Sequence, residues 1–156
     1  MTTLLHDLLG PQSIATDLMS RNKKQLFRDL AERFAPIAGC NAETIVEVLA
    51  ERERLGSTGF GGGVAIPHGK LEALDSVRAF LAVLPAPVDY GAIDDMPVDI
   101  VVLLLSPRDA GTDHLKALAR VSRALRDREF LAKLRGAGSP DAIYALISTY
   151  QARDAA

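Results

Sequence analysis

Cysteine and histidine are both scarce in this chain of 156 residues. The single cysteine, Cys40, has no partner for an internal disulfide bond and gives no sign of a cysteine-based metal site. This cysteine usage is typical of intracellular proteins. Histidine occurs three times, as His6, His68 and His114, so any histidine chemistry must come from these residues.

The chain also lacks an excess of charge of either sign. Its 18 lysines and arginines stand against 20 acidic residues, which gives a formal net charge of -2. Proteins that bind nucleic acid usually carry net positive charge or a basic stripe. We therefore expect no nucleic-acid partner.

Long hydrophobic runs are absent as well. The longest apolar run covers residues 100–105, far short of the roughly 20 residues that span a bilayer. The first ten residues contain no lysine or arginine and no cleavage-like site. We therefore expect no membrane insertion and a cytoplasmic location.

The apolar residues that are present, 48% of the chain, suffice for one core. The length suits a single domain over residues 1–156. Valine- and leucine-rich runs at 77–84 and 98–105 predict strands covered on both faces, with a turn over 89–97 between them. Residues 64–66 predict a short strand, and residues 1–19 predict an edge strand or an extended lead-in.

Hydrophobic periodicity predicts helices around these strands. The first begins after Ser20 or Asn22, the second begins after Asn41 and stops at Gly56, and Thr112 or Asp113 caps the third. A short helix follows near residues 130–134, and residues 139–141 start the last one with a cap, a proline and an acid. The predicted buried faces of these five helices, in chain order, are Leu26, Phe27, Leu30, Ala31 and Phe34; Ala42, Ile45, Val46 and Leu49; Leu115, Leu118, Ala119, Ser122 and Leu125; Phe130, Leu131 and Leu134; and Ile143, Leu146, Ile147 and Tyr150.

These elements together predict an α/β fold, in which helices flank a mixed sheet of about four or five strands. Residues 151–156 follow the last predicted helix and are expected to fray. No internal repeat is apparent, and the sequence indicates neither a cofactor nor a metal site.

A glycine-rich stretch interrupts the pattern of helices and strands. Residues 56–63 hold five of the chain's 12 glycines, which predicts a loop. A Walker loop and a dinucleotide fingerprint would both need glycine where Val64 stands, and the pattern of a hydrolase elbow is missing too. The unpaired N–H groups of such a loop are nevertheless suited to binding an anion.

His68 follows this loop and the short strand. Pro67 has a fixed φ and no N–H, so it is predicted to end the strand and hold His68 at the rim of the sheet. An imidazole that is largely neutral at pH 7 can act as a nucleophile. The alternative is a histidine that only ends a strand in a turn, and the spacing alone leaves both interpretations open.

Two segments of the chain carry a resemblance to a known family. Residues 57–59, the glycines and residues 64–70 (Val-Ala-Ile-Pro-His-Gly-Lys) resemble the active-site segment of phosphotransferase-system enzyme IIA domains of the mannitol/fructose class. The nitrogen-regulatory branch of that class is the most similar. The resemblance extends over nearly the whole chain, including Lys23 and Lys24 in the first long helix, Arg52-Glu53 and His114.

The chain departs from the family pattern at two places. Phe60 stands where a smaller aliphatic residue is common, which would alter the surface offered to a partner. The unbroken run of three glycines, residues 61–63, would loosen the loop. Neither departure removes a reacting group.

The resemblance implies that His68 is phosphorylated by a small phosphocarrier protein of the HPr type. Enzyme I charges that carrier, and phosphoenolpyruvate is the ultimate donor. Arg52 and His114 are implied to line the same site. The fold implied is that of the mannitol/fructose-type enzyme IIA domains.

Each of these site residues also has a simpler interpretation. Arg52 can hold two phosphoryl oxygens, or it can be a solvated cation at a helix end. His114 lies in a first helical turn, where N–H groups attract anions, or it is a surface histidine. Ser57, Thr58 and Gly59 are candidate phosphate-binding residues, although the two hydroxyls can equally satisfy the backbone of the turn. His6 and Cys40 are assigned no role.

The resemblance thus implies a phosphoryl-accepting regulatory protein of the nitrogen-related phosphotransferase system, whose phosphorylation state controls partner binding. Potassium transport systems and sensor kinases are the regulatory targets that it implies. The alternative is a sugar-specific enzyme IIA component that passes phosphate to a cognate IIB for uptake of mannitol or fructose. A third interpretation is a binding module that keeps the fold without the phosphoryl transfer.

Overall fold

A computed structural model describes residues 5–150 of the chain. The elements follow one another as α1 (Leu5–Leu8), β1 (Ile14–Ala15), α2 (Lys23–Ala38), α3 (Ala42–Glu53), β2 (Gly59–Gly61), β3 (Val64–Ala65), β4 (His68–Lys70), β5 (Arg78–Val88), β6 (Val98–Ser106), α4 (Thr112–Leu125), α5 (Arg128–Gly136) and α6 (Pro140–Thr149).

Two long antiparallel strands, β5 and β6, form the centre of one mixed sheet. Arg78 lies opposite Leu105, and the register shifts between Val83 and Val88. The strand order is β1-β5-β6-β3-β2, and β4 pairs with β6 after β3. The contacts of β6 with β3 and β4 are parallel, as is that of β5 with β1. The predicted α/β fold is confirmed, and the short strands bring the sheet to six.

Both faces of the sheet are covered, as the apolar runs predict. Successive side chains of a strand point to opposite faces. Along β6, Leu103 and Leu105 enter a core cluster shared with α2 and α3. Val102 and Leu104 enter a second cluster shared with α1, α4, α5 and α6. The sheet therefore separates two helical layers.

The helices of the first layer follow their predicted faces. All five predicted apolar residues of α2 are buried, and the Asn22 side chain accepts a hydrogen bond from the Gln25 N–H at 2.8 Å. Ser20 instead donates to Asp29. In α3 the predicted face is confirmed, with Ile45 and Leu49 buried and Ala42 and Val46 partly buried. The predicted stop at Gly56 is late, because α3 ends at Glu53 with Arg54 as its C-cap.

The predicted cap of α4 is wrong, and of its predicted face only Leu125 is buried. Its N-cap is Gly111, with no side-chain cap, and Leu115 is 64% exposed. Leu118 and Ser122 are only partly buried, and Ala119 is exposed. Two stripes one residue apart both fit a helical period, so the apolar pattern alone does not separate them. The stripe that faces the sheet is His114, Ala117, Val121, Ala124 and Leu125.

The last helix confirms its predicted start signal, and the helix before it confirms its predicted apolar residues. The Ser139 side chain caps α6 by accepting from the Ala142 N–H at 3.2 Å, and Pro140 occupies the first helical position. In α5 the three predicted apolar residues are buried. In α6, Ile143 and Ile147 are buried, whereas Leu146 and Tyr150 are partly buried. The prediction that residues 151–156 fray lies outside the described residues.

The glycine-rich stretch contains a hairpin, so the prediction that residues 56–63 form only a loop is wrong. Gly59–Gly61 form β2 and pair antiparallel with β3 across an irregular register. Gly62 and Gly63 connect the two strands with φ of 72° and 83°, values that favour glycine. The Gly62 N–H donates to Asp94 at 3.0 Å, and Arg135 donates to the Gly62 carbonyl at 3.2 Å. These bonds tie down the turn that the unbroken glycines were expected to loosen.

The strand before Pro67 ends there, as predicted, but a further short strand begins directly after the proline. β3 lies before it and β4 after it, and both run parallel to β6. The proline has no N–H to donate, but its carbonyl still accepts from the Leu104 N–H at 2.9 Å. His68 therefore lies within a strand, opposite Leu104, instead of in a turn beyond one.

Gly69 lies where α3 packs tightly against the sheet. A Cβ atom at this position would overlap the Cγ1 atom of Val48 on α3. Because valine is stiff about χ1, the overlap cannot be relieved by a simple rotation. We expect Gly69→Ala to lower the free energy of unfolding by about 1–3 kcal/mol, measured by urea denaturation.

A matched control is Gly136→Ala, since no atom lies within 4 Å of the added Cβ in that helix. Alanine is the better helix former, so this variant should be no less stable than the wild type. Val48→Ala added to Gly69→Ala should restore part of the loss. Equal stability of the two alanine variants would contradict the steric explanation.

Candidate functional site

The hydrogen bonds of His68 determine which of its two ring nitrogens carries the hydrogen. Its Nδ1 atom lies 2.7 Å from the carbonyl oxygen of Ile66. A carbonyl only accepts, so Nδ1 must carry the hydrogen, and the lone pair of the neutral ring resides on Nε2. That lone pair accepts a hydrogen bond from the Nε–H of Arg52 at 3.2 Å. The ring thus presents one nucleophilic nitrogen, and this nitrogen faces a cation.

Arg52 reaches this position from the last turn of α3. Its Nη1 group donates to the carbonyl of Gly56 at 3.0 Å, so the guanidinium bridges His68 and the start of the glycine segment. Because of these contacts, Arg52 is not simply a solvated cation at a helix end. Its action on a phosphoryl group stays a prediction.

His114 is the third group that the structure brings to this place. Its ring centroid lies 5.7 Å from that of His68, with 48° between the ring planes. The residue is 8% exposed, which excludes the interpretation as a surface histidine. Its Nδ1 atom lies 2.6 Å from the Oγ atom of Ser106 at the end of β6. Side chains from β4, α3 and α4 therefore meet at one point.

Both imidazoles are held in the neutral form. Burial lowers the pKa of His68 below its usual value of 6.5; the Ile66 carbonyl opposes this shift, and the charge of Arg52 adds to it. Burial also lowers the pKa of His114, and the charge that His68 would carry if protonated, together with that of Lys70, lowers it further. At pH 7 the site therefore offers unprotonated rings, as nucleophilic attack by a histidine requires.

A hydrogen-bonded network fixes the segment between Arg52 and the hairpin. The Glu53 carboxylate accepts the N–H of Thr58 at 3.0 Å and its hydroxyl at 2.7 Å. Lys23 of α2 forms an ion pair with the same carboxylate at 2.6 Å and lies 4.5 Å from the centroid of the Tyr90 ring. The Tyr90 hydroxyl lies 2.7 Å from Thr58 Oγ1 and donates to it, because the hydrogen of Thr58 goes to Glu53.

The three predicted phosphate-binding residues take part in this local structure. The Thr58 hydroxyl already has two partners, and the residue is 6% exposed. Ser57 Oγ accepts from the Gly59 N–H at 3.1 Å. A Cβ atom on Gly59 would lie 2.9 Å from both Tyr90 and Ala92, so only glycine fits there. Phosphate binding by these residues stays a prediction.

Four partners at the site were not identified in the sequence: the Ile66 carbonyl, the Glu53 carboxylate, Tyr90 and Ser106. Two of them carried a usable signal. Glu53 directly follows Arg52 in the segment that resembles the family, and Ser106 is a polar residue that ends an apolar run eight positions before His114. Tyr90 lies 32 residues from Thr58 and had no local signal.

Residues 5–150 contain neither a candidate metal-binding cluster nor a candidate membrane span. Within that range, no group of three or more histidine, cysteine, aspartate or glutamate side chains is placed to hold a metal ion. No helix in the same range is long and apolar enough to cross a membrane.

A neutral histidine whose Nε2 lone pair faces a guanidinium, with a second imidazole nearby, is suited to accept a phosphoryl group. Residues 7–150 match a family described as phosphoenolpyruvate-dependent sugar phosphotransferase system, EIIA 2. This match covers nearly all of the sequence, and the chain belongs to that family.

Individual relatives agree with this assignment. A nitrogen regulatory protein of Bradyrhizobium diazoefficiens is 46% identical over 142 residues, which cover 91% of this chain and 93% of that protein. The crystal structure of nitrogen regulatory protein IIA-Ntr from Neisseria meningitidis superimposes with a TM-score of 0.86 at 28% identity, covering 93% of this chain and 99% of that one.

A substrate-specific component of a phosphotransferase system is also similar. The 2-O-alpha-mannosyl-D-glycerate-specific EIIABC component of Escherichia coli is 31% identical over 144 residues, which cover 90% of this chain. The aligned part is 21% of that longer protein.

The contact between Arg52 and His68 predicts a change in the titration of the histidine. Replacing Arg52 by glutamine removes the positive charge beside Nε2, so the pKa of His68 should rise toward 6.5. We expect the histidine resonances of the variant, followed by NMR, to titrate at higher pH than those of the wild type.

Arg54→Gln is the matched control for that titration. Arg54 is exposed and pairs with Glu51, so its loss should leave the pKa of His68 unchanged. The same shift in both variants would mean that general charge, rather than the Arg52 contact, sets this pKa.

The lowered pKa of His68 also predicts that folding stability declines as the pH falls below about 6.5, because the unfolded chain then binds protons that folded His68 does not.

The hydroxyl of Thr58 is expected to stabilise the network around Glu53. Thr58→Val keeps the shape but leaves the buried Tyr90 hydroxyl without an acceptor, which should cost about 1–3 kcal/mol of unfolding free energy. Thr58→Ser keeps the hydroxyl and should lose less. Urea denaturation measures both, and a valine variant as stable as the serine variant would exclude this role.

Proposed function

We propose that this chain is a phosphoryl-accepting regulatory protein of the nitrogen-related phosphotransferase system and works in the cytoplasm. His68 Nε2 receives the phosphoryl group from an HPr-type phosphocarrier, with phosphoenolpyruvate as the ultimate donor. The observation that carries this proposal is the bond between His68 Nδ1 and the Ile66 carbonyl, which leaves Nε2 as the only ring nitrogen with a lone pair. The names of the relatives support the regulatory role.

The transfer forms one bond and breaks another. The lone pair of His68 Nε2 forms the new bond to phosphorus, and the bond from phosphorus to the histidine nitrogen of the carrier breaks, with its electron pair returning to that nitrogen. No proton needs to leave His68, because Nδ1 keeps its hydrogen and continues to donate it to the Ile66 carbonyl. This hydrogen bond stabilises the positive charge that develops on the ring.

Arg52 then changes its acceptor. In the structure its Nε–H occupies the lone pair of His68 Nε2, so this bond must be released as the bond to phosphorus forms. The guanidinium remains anchored at Gly56 and is close enough to donate to the phosphoryl oxygens. Loss of one such preorganised donor typically raises a barrier by about 3 kcal/mol.

Exposed apolar side chains adjoin the site residues in the chain. Leu55 is 84% exposed and precedes Gly56, whereas Leu115 is 64% exposed and follows His114. These leucines are suited to a partner that docks over the histidines. Phosphorylation adds about -1.5 to -2 charge, which changes how such a surface binds its partners. Potassium transport systems and sensor kinases stay the predicted regulatory targets.

A second candidate function is that of a sugar-specific component that passes phosphate to a cognate IIB protein. The similarity to the EIIABC component of Escherichia coli favours it. The same three side chains would serve, since phosphoryl acceptance is common to both functions. Transfer from the phosphorylated chain to a mannitol- or fructose-type IIB protein would identify this second function.

The central experiment is phosphorylation in a purified system. The protein is incubated with phosphoenolpyruvate, enzyme I and an HPr-type carrier, and acid-labile phosphate is measured. We expect uptake by the wild type, none by His68→Ala, and normal uptake by His6→Ala, because His6 is exposed and lies outside the site. Arg52→Ala should slow the transfer by about 10²–10³-fold.

The phosphorylated nitrogen is identified by NMR of the product. A bond to Nε2 is expected, since Nδ1 is engaged by the Ile66 carbonyl. The proposal is wrong if the wild type takes up no phosphate, or if His68→Ala takes up as much as the wild type. Phosphate on Nδ1 would exclude the mechanism derived from the hydrogen bonds.

A further inference from the structure

Ser106 is a fully buried polar residue next to the site. It is the last residue of β6, has 0% exposure and pairs in register with Lys70. Its backbone carbonyl accepts from the Leu71 N–H at 2.7 Å, so the strand holds its main chain in place. Its hydroxyl oxygen lies 2.6 Å from His114 Nδ1.

The direction of this hydrogen bond follows from the partners available. Within residues 5–150, the Ser106 hydroxyl has no hydrogen-bond partner other than His114 Nδ1. A buried hydroxyl hydrogen needs an acceptor, because leaving it unpaired away from water is unfavourable. Ser106 therefore donates to Nδ1, and the neutral His114 ring carries its hydrogen on Nε2.

The reverse arrangement leaves a buried hydrogen unpaired. If Nδ1–H donated to Ser106, the serine hydrogen would be buried without an acceptor. A protonated ring has the same fault, and burial lowers the pKa of His114, which also opposes protonation.

The two histidines are therefore held in opposite tautomers. His68 carries its hydrogen on Nδ1, because of the Ile66 carbonyl, and has its lone pair on Nε2. His114 has its lone pair on Nδ1, because of Ser106, and carries its hydrogen on Nε2. With ring centroids 5.7 Å apart, one ring is prepared to accept a phosphoryl group and the other to donate a hydrogen bond to it.

We propose that Ser106 is a positioning residue: it holds His114 in the Nε2–H tautomer, so that His114 donates a hydrogen bond to the phosphoryl group on His68. The part concerning the phosphoryl group rests on the proposed function. The part concerning the tautomer does not, since it follows from burial and hydrogen bonding in the unphosphorylated protein.

The tautomer is measured first, on the unphosphorylated protein, by long-range ¹H–¹⁵N correlation of the histidine rings. We expect His114 in the wild type to show an unprotonated Nδ1 and a protonated Nε2. In Ser106→Ala both tautomers should be populated, and Ser106→Cys should lie between, because a thiol is a weaker donor of similar size. A wild-type spectrum with hydrogen on Nδ1 of His114 overturns the proposal without any variant.

The effect on the phosphoryl group is measured second, as the lifetime of the phosphohistidine after removal of the donor proteins. Loss of the His114 donor should shorten this lifetime several-fold in Ser106→Ala, with a smaller change in Ser106→Cys. The matched control is Ser122→Ala, in the same helix as His114, whose hydroxyl pairs with the exposed Arg126. This control should keep the wild-type tautomer and lifetime.

The outcomes separate the two proposals. If Ser106→Ala keeps both the tautomer and the phosphohistidine lifetime of the wild type, Ser106 has no positioning role. If the wild type takes up no phosphate, the proposed function is wrong, and the role of His114 as a donor to phosphate is overturned with it. The tautomer spectra still decide whether Ser106 controls the ring.

Discussion

The hydrogen bond from His68 Nδ1 to the carbonyl of Ile66 is the interaction on which the rest of the site depends. The two residues are separated only by Pro67, whose ring restricts the backbone between them. Both β3 and β4 lie against β6, so the carbonyl and the imidazole are held by the same neighbouring strand. This bond determines which nitrogen keeps a lone pair, and that nitrogen determines where Arg52 can donate.

Each group at the site has its own supporting contact. Glu53 binds Thr58 and Lys23 immediately after Arg52, so the end of α3 and the following segment are held to α2. Ser106 holds the ring of His114 from the end of β6. The site is therefore built from positions that the sheet and its two helical layers fix before any partner arrives, which is what electrostatic preorganisation requires.

The sequence predicted the parts of the fold that short-range rules control. The caps at Asn22, Asn41 and Ser139 and the stripe of α2 were correct, because a cap or a stripe depends on residues within a few positions of one another. The face of α4 was only partly correct because Leu115 and His114 both lie on stripes of helical spacing. The hairpin at Gly59–Gly61 was missed because strand pairing there depends on Val64–Ala65 and its place beside β6.

The sequence by itself identified His68, Arg52 and His114 as candidate site residues, the first through the proline and glycines around it and the other two through the family resemblance. Only the tertiary structure decided what these side chains contact. Arg52 meets His68 across 16 residues of chain because α3 packs on β4 at Gly69, where there is no side chain to keep them apart. Thr58 meets Tyr90 across 32 residues, and the rotation of α4 buries His114 instead of Leu115. Hydrogen bonds between such distant segments depend on how the layers pack, and packing is a property of the whole core rather than of any local pattern.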